Sequence, residues 1–194
     1  MKYSLILLAV WYAYWIISAG RRVRDTAEST VQRESLAGRA GYFVFLIVGF
    51  ALIFVRRPIP GIELQLWPPG TFWMAIGLAI QAAGLMLAIW ARSILGRNWS
   101  GRISIGGTQE LIVRGPYRFV RHPIYSGALM AVVGTAIVSG QLRAFLGFAL
   151  VVIGLWIKIR REERALRSHF GAAYDEYSRR VPGLIPGPPV SSPR

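Results

Sequence analysis

Apolar residues fall into four blocks, separated by segments that hold most of the charge. The blocks are Tyr3–Ala19, Ala40–Val55, Phe72–Ala91 and a longer one, Ile124–Ile157. A helix needs about 20 residues to cross the hydrocarbon of a bilayer, with roughly 17–25 as the usual range. The fourth block has 34 residues, too many for one crossing. Ser139-Gly140-Gln141-Leu142-Arg143 interrupts it with polar and turn-forming residues. The pattern therefore predicts a helical hairpin, Ile124–Val138 and Ala144–Ile157, and five crossings in all. Both hairpin arms are short. Small residues at Gly127, Gly134, Gly147 and Gly154 would let their two backbones approach closely.

Composition agrees with a membrane protein. Hydrophobic residues make up 54% of the chain and charged ones only 16%, more apolar than a soluble domain usually is. A net charge of +14 could suggest nucleic-acid binding, but the basic residues cluster between apolar runs, as in cationic cytoplasmic loops. With the N-terminus outside, segments 20–39, 92–123 and 158–194 lie inside and carry 19 of the 23 Lys and Arg residues. Four crossings would set the basic tail opposite the basic 92–123 loop, against the positive-inside rule. The expected fold is an all-α integral membrane protein with five transmembrane helices, the last two a hairpin, and a cytosolic C-terminal amphipathic helix. The expected location is a bacterial inner membrane, with the N-terminus outside and the C-terminus cytoplasmic.

Three regions follow: a three-helix membrane region at 1–91, a region at 92–186 holding the loop, hairpin and C-terminal helix, and a disordered tail at 187–194, rich in Pro and Ser. Ser18-Ala19-Gly20 also resembles a signal-peptide cleavage site, but Arg21, Arg22 and Arg24 follow at once and favour a retained helix. The chain has no cysteine, which excludes disulfides and thiolate chemistry. Two histidines, His122 and His169, are too few for most metal sites, so no metal is expected. None of the five crossings holds an ionisable residue in its interior; Gln81 is the strongest polar group there and is expected to pack. Ion pumps and proton-coupled carriers need such groups along a pathway. The chemistry must lie at the boundary.

Two clusters sit at that boundary. Arg121-His122-Pro123 opens the fourth crossing, where proline at a first helical position costs little. His122 falls at the helix cap with Tyr125 one turn away, and the helix start favours an anion. Arg118 and Arg121 add fork-shaped donors. The second cluster follows the fifth crossing: Glu162 and Glu163, flanked by Arg160, Arg161 and Arg164. On a continuing helix, Glu163, Leu166, Phe170, Tyr174 and Tyr177 share one stripe, with Gly171 loosening its middle. Such a helix could lie on anionic lipid. It could also act as a lid carrying a carboxylate and aromatic rings over a ligand.

The pattern Gly-x-Tyr-x-x-x-Arg-His-Pro-x-Tyr-x-Gly, Gly115 to Gly127, resembles the isoprenylcysteine carboxyl methyltransferase family and its bacterial relatives. So does Glu162-Glu163-x-x-Leu166-x-x-x-Phe170-Gly171-x-x-Tyr174-x-x-Tyr177-x-x-x-Val181-Pro182, followed by Pro186. The likeness covers residues 95–186, and phospholipid N-methyltransferases look similar over the same region. It implies a membrane enzyme that uses S-adenosylmethionine, bound in a cytosolic pocket built by the last helices and the C-terminal segment. A lipophilic substrate would enter from the bilayer. Gly115, Tyr117, His122, Pro123, Tyr125 and Glu163 match cofactor-pocket positions, and Tyr174 and Tyr177 the aromatic positions of the closing segment. Arg121, Lys158 and Glu163 are the implied catalytic set. Lys158 stands where the family pattern has Arg, keeping the charge but losing the bidentate fork. Gln109-Glu110-Leu111-Ile112-Val113 departs from the family's His-x-Leu-Val.

Methyl transfer from a sulfonium is an in-line displacement whose leaving group needs no proton, so alignment and desolvation dominate. Orientation can supply roughly 7–11 kcal/mol. Aromatic faces such as those of Tyr125, Tyr174 or Tyr177 suit the cationic donor. His122 and the helix start would receive its carboxylate, and Glu163 its ammonium or ribose hydroxyls. A carboxylate acceptor needs no general base, whereas an ammonium headgroup must first lose a proton. Carboxyl O-methylation of an isoprenylcysteine-like acceptor is thus the simpler expectation and lipid N-methylation the alternative. A non-enzymatic scaffold that binds anionic lipids through its Arg-rich face remains the rival of another class. Asn98-Trp99 could line a substrate entrance or simply pack.

Overall fold

The computed structural model describes residues 2–19, 36–55, 58–96 and 111–188. Six α-helices are present among them: α1 (Lys2–Ala19), α2 (Leu36–Phe54), α3 (Thr71–Leu95), α4 (Pro123–Ser139), α5 (Leu142–Phe170) and α6 (Ala172–Arg180), with a 3-10 turn at Gly115–Arg118 before α4. The described residues contain no β-strand, only an isolated bridge between Gln65 and Gln141. The protein is all-helical. α3 and α5 are long and apolar enough to cross a membrane, while α1, α2 and α4 hold shorter apolar stretches. Large apolar side chains on the outer faces, among them Ile6, Val10, Ile17, Ile47, Phe72, Met86 and Trp156, are exposed. Water would not tolerate so wide an apolar surface, and hydrocarbon would.

Two antiparallel helix pairs build the bundle, α3 with α4 and α2 with α5. Glycine makes each pair possible. A Cβ on Gly84 would lie 2.5 Å from the Gly127 carbonyl oxygen, and one on Gly77 2.6 Å from that of Gly134. On the other pair, a Cβ on Gly147 would lie 2.5 Å from the Gly49 carbonyl oxygen, and one on Gly154 3.1 Å from that of Tyr42. Here the structure corrects the sequence-based expectation. The four hairpin glycines do not bring α4 and α5 together; each arm turns its glycines toward a different partner. Helices in lipid associate by close backbone packing, and each small-residue stripe is used once.

The hairpin itself forms where predicted. Gly140 adopts a left-handed φ of +65° at the end of α4, the conformation a helix C-terminus often needs and glycine adopts without strain. The 58–70 loop closes over it: Leu66 N donates to Gly140 O at 2.8 Å, Leu142 N to Leu64 O at 2.9 Å, and Trp67 Nε1 to Ile137 O at 3.1 Å. Arg143 donates from Nη1 to Leu52 O at 3.2 Å and to Val55 O, and from Nε to Gln141 Oε1 at 2.8 Å. Its buried guanidinium therefore satisfies the last carbonyls of α2.

α1 docks on the α3–α4 pair through polar groups. Gln81 Nε2 donates to Ser4 O at 3.0 Å and Ser4 Oγ to Thr135 Oγ1 at 3.2 Å. Gln81 is fully buried, so it packs as expected.

α5 runs well past its apolar part. Lys158 to Phe170 continue the same helix for roughly 20 Å at 1.5 Å per residue. The amphipathic stripe does not continue unbroken through Gly171, which takes a φ of +51° and ends α5. α6 then turns back, burying Tyr174, Tyr177 and Val181 against Leu111, Val113, Leu166 and Phe170. Ordered contacts persist to Gly187, whose N–H donates to Phe119 O at 2.9 Å; 189–194, and with them most of the expected tail, lie outside the described residues. So do Asn98, Trp99, Gln109 and Glu110.

Candidate active site

Three chain segments meet at one end of the bundle: the start of α4, the charged extension of α5, and the coil after α6. Pro123 is the first residue of α4, with His122 at its cap. The coil lies across that start. Arg121 N donates to Pro182 O at 2.9 Å, His122 N to Gly183 O at 3.0 Å and Ser126 Oγ to Leu184 O at 2.6 Å. The amides of Arg121 and His122, just ahead of Pro123, are occupied by these carbonyls.

Glu163 lies at the centre, beyond the apolar stretch of α5 that ends at Ile157. Its Oε1 accepts from Arg121 Nε at 2.9 Å, from Arg121 Nη2 at 2.5 Å and from His122 Nε2 at 3.2 Å. Burial alone would raise its pKa, but the hydrogen bonds from His122 and Arg121 and the Arg121 charge outweigh it and hold the carboxyl at about 2. An ionised carboxylate only accepts, so Nε2 of His122 carries the proton. Oε2 of Glu163 has no partner among the described residues. Arg121 spreads its remaining donors over backbone, from Nη1 to Ser178 O at 3.0 Å and Val181 O at 2.5 Å. Its fork is closed on the protein's own groups and ties the C-terminal segment to α4.

Glu162 faces a different neighbour. Its Oε2 accepts from the Tyr125 hydroxyl at 2.7 Å, and the Tyr125 ring stacks on His122 with centroids 5.7 Å apart. Lys158, one turn before Glu162, holds its Nζ 5.2 Å from the Tyr125 ring centroid and 6.0 Å from that of Tyr42 on α2. It points to aromatic rings and not to Glu163.

The remaining sequence-predicted residues form a supporting layer. Gly115 starts the 3-10 turn with φ +60°, and a Cβ there would press on Ile94 at 3.0 Å. Tyr117 is buried, and burial pushes its phenol pKa well up. Tyr177 OH donates to Tyr117 O at 2.8 Å, and its ring meets Tyr174 with centroids 6.0 Å apart. The Tyr174 hydroxyl is buried without a hydrogen-bond partner among the described residues. No group of three or more His, Cys, Asp or Glu residues able to hold a metal occurs among them.

Arg121, His122, Pro123, Tyr125 and Glu163 thus converge directly, and Gly115, Tyr117, Tyr174 and Tyr177 support them from behind. The sequence alone did not reveal Tyr42, more than a hundred residues away on α2, or Ser126. No local signal marks either one; only packing brings them in.

The two-part motif and its geometry agree with the comparison to known proteins. The sequence matches the phospholipid methyltransferase family over residues 72–173. The chain belongs to that family. Protein-S-isoprenylcysteine O-methyltransferase B of Arabidopsis thaliana is 32% identical over 130 residues, covering 66% of this chain and 64% of the plant protein. Methanethiol S-methyltransferase 1 of Bradyrhizobium diazoefficiens is 39% identical over 196 residues, covering 94% of this chain and 66% of its own length. The chain spans a little under two thirds of the length of these relatives. The eukaryotic intramembrane Ras methyltransferase, isoprenylcysteine carboxyl methyltransferase, shares the fold at a TM-score of 0.51 and 24% identity, over 77% of this chain and 50% of that one. The family segment runs from α3 to the start of α6. It leaves Tyr42, Tyr174, Tyr177 and the crossing coil outside.

Proposed function

We propose that this family member is a multi-pass membrane methyltransferase that uses S-adenosylmethionine and methylates an anionic nucleophile on a lipophilic acceptor, a carboxylate of the isoprenylcysteine type. The observation that carries the reading is the 3.2 Å contact of His122 with Glu163, which joins the two halves of the motif at one point. The membrane reading takes all five apolar helices as crossings, with the site and the basic C-terminal segment on the cytoplasmic side of a bacterial inner membrane and the N-terminus outside. Partners are membrane lipids and the acceptor that enters from them, with neither nucleic acid nor metal.

The donor set suits a sulfonium amino acid. An unpartnered carboxylate oxygen on Glu163, an orphan buried hydroxyl on Tyr174 and the ring of Tyr125 offer acceptors and a π-face to a cation. Once bound, the cofactor supplies a methyl group already activated by its positive sulfur. The protein's part is placement and desolvation. Glu163, ionised and fixed by Arg121, would hold an ammonium or ribose hydroxyls, and the coil from Pro182 to Gly187 would exclude water from the site. Arg121 acts here as a positioning residue, because its donors already bind the protein.

Lys158 argues for the acceptor's charge. No carboxylate pairs with it among the described residues, and its ammonium would repel a cationic aminolipid and attract a carboxylate. A second acceptor is favoured by the 39% identity to a methanethiol S-methyltransferase over 94% of the chain: a thiolate, anionic in the same way. Purified protein with radiolabelled S-adenosylmethionine separates the readings. Base-labile label on an S-farnesylcysteine acceptor indicates an ester, and volatile label released with methanethiol indicates a thioether. Base-stable label on phosphatidylethanolamine would overturn the anionic-acceptor reading. Absence of both transfer and donor binding, with salt-sensitive binding to anionic vesicles, would leave a lipid-binding scaffold instead.

A further inference from the structure

Lys158 is held by two rings from two other helices, and only one of them belongs to the family segment. Tyr125 comes from α4. Tyr42 comes from α2, outside residues 72–173. Tyr42 is buried, at 5% exposure, and packs by its backbone where Gly154 leaves room: a Cβ at 154 would stand 3.1 Å from Tyr42 O. Its ring stacks on Phe43 at 4.9 Å between centroids. The Lys158 ammonium sits where the apolar stretch of α5 ends, against the α2–α5 seam. Glu162, one turn further along, is hydrogen-bonded by Tyr125 instead.

We infer that Tyr42 is a positioning residue of the acceptor subsite: its ring, with that of Tyr125, aims the Lys158 ammonium at the anionic group of a lipophilic acceptor reaching the site from the bilayer. This rests on the methyltransferase reading proposed above. The physical argument is one of restraint. A lysine has four rotatable carbons and a strongly hydrated head, so a free one would reach for bulk water. Two aromatic faces replace part of that hydration without neutralising the charge, and so leave a fixed cation that only an anion can complete. A single ammonium is a point charge with no fork geometry, which suits a carboxylate or a thiolate equally. α2 thereby sets which acceptors are received, while the family segment does the transfer.

The test uses the full chain in phosphatidylcholine nanodiscs, with an S-farnesylcysteine acceptor and the variants Tyr42→Phe and Tyr42→Leu. Phenylalanine keeps the π-face and leaves the acceptor KM within about twofold of wild type. Leucine removes it and raises KM about tenfold, with kcat and donor affinity by calorimetry nearly unchanged. Equal effects of Phe and Leu, no effect of Leu, or parallel losses in kcat and donor binding would overturn the inference. Direct binding of the same acid, followed by calorimetry, decides the point even without turnover: binding about tenfold weaker in Tyr42→Leu sustains it, and unaltered or undetectable binding rejects it. A protein that binds the acid but methylates nothing refutes the proposed function alone. Acid binding that becomes insensitive to Tyr42→Leu once phosphatidylglycerol is added, together with Tyr42-dependent lipid binding, would reassign the anion to a lipid phosphate.

Discussion

Arg121 and Glu163, 42 positions apart in the chain, meet through two guanidinium nitrogens on one carboxylate oxygen, at 2.9 and 2.5 Å. The same guanidinium carries the carbonyls of Ser178 and Val181. One side chain therefore couples α4, α5 and the end of α6. Breaking a mostly buried pair by removing one partner leaves an uncompensated charge, at a cost of about 3 kcal/mol. Arg121→Ala should lower the melting temperature in detergent clearly more than Arg164→Ala, which removes an exposed residue. Glu163→Gln should abolish S-adenosylmethionine binding by calorimetry while the protein still inserts. Unchanged donor binding would remove Glu163 from the cofactor site.

The depressed Glu163 pKa has a defined signature against pH. Its folded value of about 2 lies below the ordinary value of 4.5. The ionised form therefore stabilises the fold fully above about pH 4.5, and that contribution is lost as pH falls toward 2. Below pH 4.5 the wild-type melting temperature should fall more steeply than that of Glu163→Gln, narrowing the gap. A constant gap down to pH 2.5 would refute the ion-paired assignment.

Close helix packing gives a prediction on α3. A Cβ at Gly84 meets the Gly127 carbonyl oxygen at 2.5 Å and the Ala131 nitrogen at 2.8 Å, both backbone atoms. The helices must separate to admit even a methyl group, so Gly84→Ala should cost about 2 kcal/mol or more. Gly41→Ala is the contrast. Its nearest atom is Nη2 of Arg161 at 3.8 Å, and the alanine should be neutral or slightly stabilising. Thermal melts of the two variants check the difference.

The coil over α4 can be loosened without touching charge. Ser126→Ala removes the 2.6 Å bond to Leu184 O, worth about 1 kcal/mol. Tyr177→Phe removes the 2.8 Å bond to Tyr117 O at similar cost. Each should speed tryptic cleavage after the exposed Arg179 and Arg180, and the double variant should speed it further. Equal cleavage rates in all forms would show that these bonds do not hold the segment.

Much of the architecture was legible because it depends on local pattern. Apolar block lengths gave the helices, and Ser139 to Arg143 gave the hairpin turn, since Gly140 there must take a positive φ. The Glu163, Leu166, Phe170, Tyr174, Tyr177 stripe grouped three buried residues, Glu163, Tyr174 and Tyr177, with Leu166 and Phe170, which pack partly buried against the two tyrosines. It failed only at Gly171, where a conformation costly for other residues lets the helix stop. The sequence predicts only a loosening at this glycine.

Partner choice was a different matter. Gly77 and Gly84, Gly127 and Gly134, Gly147 and Gly154 all recur at seven-residue spacing, and nothing local says which stripe meets which. Likewise Arg121 could have faced a ligand, and only the folded chain closes its fork on Glu163, Ser178 and Val181. The sequence determined the helices, the turn and the motif in which His122 and Glu163 belong together, because these follow from periodicity and side-chain chemistry over short range. The tertiary structure decided which helix packs on which, and that Tyr42 reaches Lys158, because those contacts depend on how every backbone competes for the same close approach.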